Sequence, residues 1–257
     1  MQREDEPMVA ILDDARLQGL TDTLRAEWTD SKPFRHVVAD DFLAPAALET
    51  LSDRFPTPDH VVWLDWKKRA PNQYGKQGPG DASRFDTLDP VFRTALEQFN
   101  GKPFLDFLEN VTGIGGLLPD QHFTGGGMHQ ILEGGILDIH TDFNFYDRLK
   151  LYRRLNVLLY LTAYWQPDYG GSLELWTDAP SRDGQCFREI PPISNRLVIF
   201  ETYKTSFHGH PREWSAPNGT TRRSIALYYY TAEPAEGKAY DDVTDFQNYA
   251  VKALPVD

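Results

Sequence analysis

Cysteine, positive charge and long apolar runs are scarce in this sequence, and each shortage excludes something. A single cysteine, Cys186, rules out an internal disulfide and any zinc site built on several thiolates. No apolar run approaches the ~20 residues needed to cross a bilayer. The polar, acidic first seven residues are unlike a secretory leader. A soluble cytoplasmic protein with no membrane partner is the expectation. Lys and Arg number 26 against 38 Asp and Glu, giving a formal charge of −12. A reader of nucleic acid needs a basic footprint, so nucleic acid is not an expected partner. Two local basic clusters, Lys67-Lys68-Arg69 and Arg148 with Lys150, Arg153 and Arg154, read as solvated surface. Internal repeats and low-complexity stretches are absent too.

What remains is a chain of 257 residues, 40% hydrophobic and 25% charged, enough for one domain with a substantial core. Residues 1–116 read as mainly helical support. Leu17, Leu20, Leu24 and Trp28 fall at helical spacing within 8–30, and Pro33 ends that stretch before a short strand over 34–38. Pro45 suits the first helical position of a helix over 45–55. Asp89-Pro90 and Lys102-Pro103 open two more helices, closed by Asn100-Gly101 and Gly113. Between them, 66–84 is rich in glycine, proline and basic residues and reads as a long mobile loop, favouring an acidic substrate as it closes.

From 117 to 231 short strand-like runs alternate with turn residues, at 127–132, 136–142, 155–162, 172–177, 196–201, 206–210 and 222–231. Such spacing predicts a β-sandwich or barrel rather than a βαβ array. Residues 232–257 are left as a C-terminal tail. In 155–162 the odd positions are all apolar, and in 222–230 Arg223, Ile225, Leu227 and Tyr229 share one side. Those faces suit packing on the helices. The opposite faces, carrying Asn156 and Tyr160, and Arg222, Ser224 and Ala226, suit a cavity wall.

Chemistry enters at His140-Thr-Asp142, because residues two apart on a strand point to the same face. An imidazole and a carboxylate converging there suit a small metal ion with mixed N/O ligands. Alone the pair carries no weight: with 7 His and 38 acidic residues, about one His-x-Asp/Glu is expected by chance. His208 and His210 supply two further imidazoles of the same strand parity, so periodicity cannot choose between them. Two histidines and one carboxylate on neighbouring strands form a facial triad, which leaves positions open on iron(II). Arg222 adds a fixed positive fork on a cavity wall, suited to a carboxylate, with the small Ser224 beside it.

Taken in order, His140-Thr-Asp142, the Leu-Leu-Tyr-Leu-Thr run ending at Thr162, Trp165, Gly170-Gly171 through Trp176, Asn195 to Phe200, His208-Gly209 and Arg222 to Ala226 resemble the iron(II)/2-oxoglutarate-dependent oxygenases, within them the prolyl 4-hydroxylase-like group. The resemblance spans roughly 127–231. It implies an α+β protein whose core is a double-stranded β-helix, or jelly roll, backed by N-terminal helices. It also implies iron(II), 2-oxoglutarate and O2 as cofactor and cosubstrates, with ascorbate as an auxiliary reductant. Iron falls to His140, Asp142 and His208, the family pattern preferring His208 to His210. The distal carboxylate of 2-oxoglutarate falls to Arg222 and Tyr160, with Ser224 and Asn156 on the same wall. Many prolyl hydroxylases have a tyrosine where this chain has Ile131, so His129 or Gln130 stands in as a candidate substrate contact. Asn144 and His210 are the remaining candidates. The implied reaction hydroxylates a prolyl residue, an amino acid or a small natural product, with release of succinate and CO2. Rival readings are a cupin-like barrel that binds without turnover, which has no need for Arg222 behind the metal, and a non-redox metalloenzyme on the same barrel. Oligomeric state is not legible.

Overall fold

The computed structural model describes residues 10–65 and 70–251; Trp66 and the Lys67-Lys68-Arg69 cluster lie outside the described residues. The helices are α1 (Asp14–Asp30), α2 (Pro45–Asp53), α3 (Pro90–Phe99) and α4 (Lys102–Thr112). Their ends follow local chemistry. The Asp13 carboxylate accepts from the backbone of Ala15 and Arg16 to cap α1, and Asp89 does the same for α3, with Pro90 in the first turn. Gly113, at φ +71°, closes α4 in the left-handed conformation that suits glycine.

The strands form two sheets in which every described pairing is antiparallel. The larger sheet contains β1 (His36–Ala39), β2 (Leu64–Asp65), β3 (Lys76–Gly78), β4 (Leu118–Pro119), β5 (Gly127–Ile131), β7 (Phe145–Tyr146), β8 (Leu151–Tyr160), β11 (Leu197–Glu201) and β13 (Arg222–Thr231). Its order is β1-β11-β8-β13-β5-β3-β2, with β4 beside β13 and β7 beside β8. The smaller sheet contains β6 (Leu137–Thr141), β9 (Leu173–Trp176), β10 (Cys186–Ile190), β12 (His208–His210) and β14 (Asp245–Phe246), in the order β10-β9-β12-β6-β14.

The two faces of the larger sheet have different fates. Leu155, Val157, Leu159, Ile225, Leu227 and Tyr229 join one apolar core with Leu24, Leu51, Phe92 and Phe104 of the helices. The Phe99 and Phe104 rings meet edge to face at 4.9 Å there. The opposite face, with Asn156, Leu158, Arg222, Ser224 and Ala226, looks across a cavity toward the smaller sheet. The alternation of apolar and polar residues in β8 and β13 thus separates support from site.

Three expectations change. The 66–84 stretch is more than a loop: it holds β3, which pairs with β5, and 3-10 turns at Pro71–Gln73 and Ala82–Thr87. The segment after 231 is more than a tail, because β14 pairs with β6 beside His140. Arg153 is not solvated surface but 1% exposed. A bulge explains the last point. Leu155 faces Tyr229 across the ladder, but Arg153 faces Tyr230, so one residue of β8 is skipped and the parity reverses.

Candidate metal centre and anion pocket

A cavity of about 270 Å³ lies between the sheets, lined by residues of both. His140 enters it from β6 and His208 from β12, directly opposite each other in the ladder. Asp142 follows β6 immediately. One ligand atom from each of these three side chains lies within 4.8 Å of the others. The Asp142 carboxylate oxygens stand 3.5 Å from His140 Nε2 and 3.4 Å from His208 Nε2.

The ring orientations fit a cation. His140 Nδ1 lies 2.7 Å from the Asp138 carbonyl and His208 Nδ1 lies 2.9 Å from that of Ser206. A carbonyl only accepts, so in each ring Nδ1 carries the proton and Nε2 presents its lone pair to the shared point. Burial first, and then His208, hold the His140 pKa down, favouring the neutral form a metal requires. Gly209 permits the close approach of β12: a Cβ there would fall 2.6 Å from the Asp138 carbonyl oxygen. That approach leaves His208 at the metal point and carries His210, beyond a register shift, opposite Leu137.

Asp142 has its own support. Arg153 Nη2 and Asn156 Nδ2 donate to Oδ2 at 3.1 and 2.7 Å, and Arg153 Nε donates to Asn156 Oδ1 at 2.8 Å. The guanidinium stacks on the Tyr228 ring, 3.4 Å from its centroid. Burial alone pushes the Asp142 carboxyl up, but Arg153 and the two histidines outweigh it and hold it well below the usual range. Asn156, expected on the cosubstrate side, thus also positions the acidic member of the cluster. Arg153 was missed because the bulge hides its facing from a parity count.

Arg222 lines the same cavity. Its Nε donates to the Gly171 carbonyl at 2.7 Å and its Nη2 to the Tyr160 hydroxyl at 3.3 Å. Gly171 has φ +69°, and a Cβ there would lie 2.9 Å from Arg222 Cδ. The Gly170-Gly171 pair therefore makes the groove that holds this arginine. Tyr160 is fully buried behind Arg222 rather than on the cavity wall. Ser224, His129 and His210 are on the wall. Both ring nitrogens of the buried His210 lack hydrogen-bond partners among the described residues, so a polar ligand in the cavity has an orphaned group to meet.

Two expected substrate contacts move away from the cavity. Asn144 is fully buried; its Oδ1 accepts from Asp241 N at 2.6 Å, and its own N–H donates to the Asp241 carbonyl at 2.8 Å. It clamps the C-terminal segment instead. Gln130 points to the other side of β5 from His129 and donates to Gln77 Oε1 at 2.7 Å. Alternation along a strand could have shown that His129 and Gln130 cannot both line one wall. Phe143 does line the cavity, as do Lys76, Thr244 and Phe246 from the two segments read as loop and tail. The Phe246 ring lies 5.0 Å from that of His140.

Comparison with known proteins agrees with this geometry. Residues 126–230, which carry all of these triad and arginine positions, match the family model described as the 2OG-Fe(II) oxygenase superfamily. A 79-residue stretch is 37% identical to prolyl 3-hydroxylase OGFOD1 of Mus musculus, covering 30% of this chain but only 14% of that relative. The chain also shares a fold with two solved structures. One is HygX from Streptomyces hygroscopicus with nickel, 2-oxoglutarate and hygromycin B bound, at TM-score 0.56 and 13% identity, covering 88% of this chain and 99% of that one. The other is the Trichoplax adhaerens prolyl hydroxylase in complex with a peptide fragment of hypoxia inducible factor, at TM-score 0.52 and 15% identity, covering 84% and 91%. Among the described residues, no helix is long and apolar enough to cross a membrane.

Proposed function

We propose that the chain is an iron(II)- and 2-oxoglutarate-dependent dioxygenase that hydroxylates an unactivated C–H bond and releases succinate and CO2. The carrying observation is the sharing of one cavity by the His140, Asp142 and His208 cluster and the buried Arg222. A binding barrel or a non-redox metal site has use for the first but not the second. The two facing antiparallel sheets support a jelly-roll reading of the core, within a single domain over 1–257.

In this reading His140, Asp142 and His208 hold iron. When bound, iron and 2-oxoglutarate supply the oxidising chemistry, using O2. The chain positions and shields. Arg222, oriented by Gly171 and Tyr160, receives the distal carboxylate of 2-oxoglutarate, and Ser224 leaves room beside it. Arg153 and Asn156 fix the Asp142 carboxylate. Phe143, Phe246 and Tyr228 line the cavity with aromatic surface. The relatives' names support a prolyl residue as the target, and HygX, solved with hygromycin B, supports a small natural product. A cytoplasmic setting is proposed from the lone, unpaired Cys186.

Incubation with iron(II), 2-oxoglutarate and O2 tests the proposal through succinate release. Asp142→Ala is expected to lose at least 100-fold of that release. Retention of full release in this variant would overturn the assignment.

A further inference from the structure

The proposed reaction leaves one cation in the cavity without a role. Lys76, on β3, lines the cavity, and its side chain makes no hydrogen bond or ion pair among the described residues. The sheet register gives its position. Lys76 and Arg222 both sit opposite Ile131, on either side of β5, so all three side chains share one face and one row. At ~4.8 Å between strands, the Lys76 and Arg222 backbones are roughly 10 Å apart. The charges felt by Lys76 are those of Asp142 and Arg153, whereas Arg222 is coupled to Tyr160. The two cations therefore differ in the charged groups beside them.

A charge count sharpens the point. Asp142 is the one acidic side chain lining the cavity among the described residues, and Arg153 already pairs with it. Iron(II) and the 2-oxoglutarate dianion cancel each other. In the loaded site Arg153 then faces Asp142 and Arg222 faces the distal carboxylate, which leaves Lys76 as the lining cation with no anionic partner of its own. A half-buried cation on a cavity wall is stabilised by an anionic partner there.

Resting on the oxygenase reading, we propose that Lys76 receives an anionic group of the substrate, and that this substrate carries a carboxylate near the carbon to be hydroxylated. His210 supports the assignment from the opposite sheet. Its ring is fully enclosed, both nitrogens lack partners, and it feels the charges of both Arg222 and Lys76. Between these groups the cavity offers donors and positive charge to an acceptor that 2-oxoglutarate, held at Arg222, leaves unmet.

The test uses the full chain loaded with manganese(II) in place of iron, followed by calorimetry in two stages. Titration with 2-oxoglutarate comes first; failure of the wild type to bind would overturn the oxygenase reading itself. Acetate, as the carboxylate probe, is then titrated into the manganese and 2-oxoglutarate complex. One acetate is expected to bind per chain. Lys76→Met is expected to weaken acetate at least tenfold and leave 2-oxoglutarate affinity within twofold, and Lys76→Arg to restore acetate binding. Two results would overturn the proposal: no acetate binding to the loaded wild type, or binding unaffected by Lys76→Met. A tenfold loss of 2-oxoglutarate affinity in Lys76→Met would overturn it as well, by placing this lysine in the cosubstrate site.

Discussion

Replacing Lys76 with methionine should make the metal-free protein more stable at neutral pH, although a cavity residue is lost. Burial pushes the Lys76 pKa down to about 8, with Asp142 opposing and Arg153 adding to the shift. In the unfolded chain a lysine titrates near ~10.4. Between these values the unfolded state binds more protons than the folded one, so stability rises as pH increases through that window. Below pH 8 the folded protein carries the full penalty. The difference of ~2.5 pH units corresponds to about 3 kcal/mol, and partial exposure of the ammonium brings the expected gain from Lys76→Met to roughly 1–3 kcal/mol. For a chain of this size that is a rise of about 2–6 °C in Tm. Methionine retains most of the apolar stem, so little packing is lost. Thermal melts of wild type and variant from pH 6 to 10.5 measure the effect. The gap should be widest below pH 8 and close as pH approaches 10.5. A variant less stable than wild type at pH 7, by an amount that does not vary with pH, would refute the reasoning.

Two further outcomes follow from the geometry. Arg153→Met leaves Asp142 buried without its main counter-charge, which should cost about 3–5 kcal/mol in the metal-free protein by chemical denaturation; manganese(II) should recover part of this, as a larger shift in Tm than in wild type. Gly171→Ala meets both a positive φ and the Arg222 side chain, and should cost about 1–2 kcal/mol and raise the 2-oxoglutarate Kd at least tenfold; unchanged affinity would show that this groove does not orient Arg222.

The sequence was most legible where the chain repeats a simple period. The helices show their caps, and β8 and β13 show their two faces, because a strand buried on one side must alternate. The metal cluster was legible as a pattern of residue types in order. Arg153 was not, since one extra residue in β8 turns it inward and no local property announces a bulge. β3 and β14 are two or three residues long, too short to display a period, and their pairing depends on neighbours far away in the chain. Lys76 and Phe246 were hidden for the same reason. Asn144 looked like a contact because it follows the metal strand, but a buried backbone segment needed its amide more.

The short strand after residue 244 has a consequence for how the cavity wall is held. Phe246 leans on the His140 ring, and the chain beyond it is held by Asp138, whose Oδ1 accepts from the backbone of Tyr249 and Ala250 at 3.1 and 2.9 Å. Asn72, just ahead of Lys76, donates to the other oxygen of the same carboxylate at 3.0 Å. One acidic side chain thus ties together the segments that bring Lys76 and Phe246 to the cavity, which lie far apart in the sequence. A substitution that removes this carboxylate would therefore release both cavity-lining segments at once, although the carboxylate itself touches neither the metal point nor Arg222.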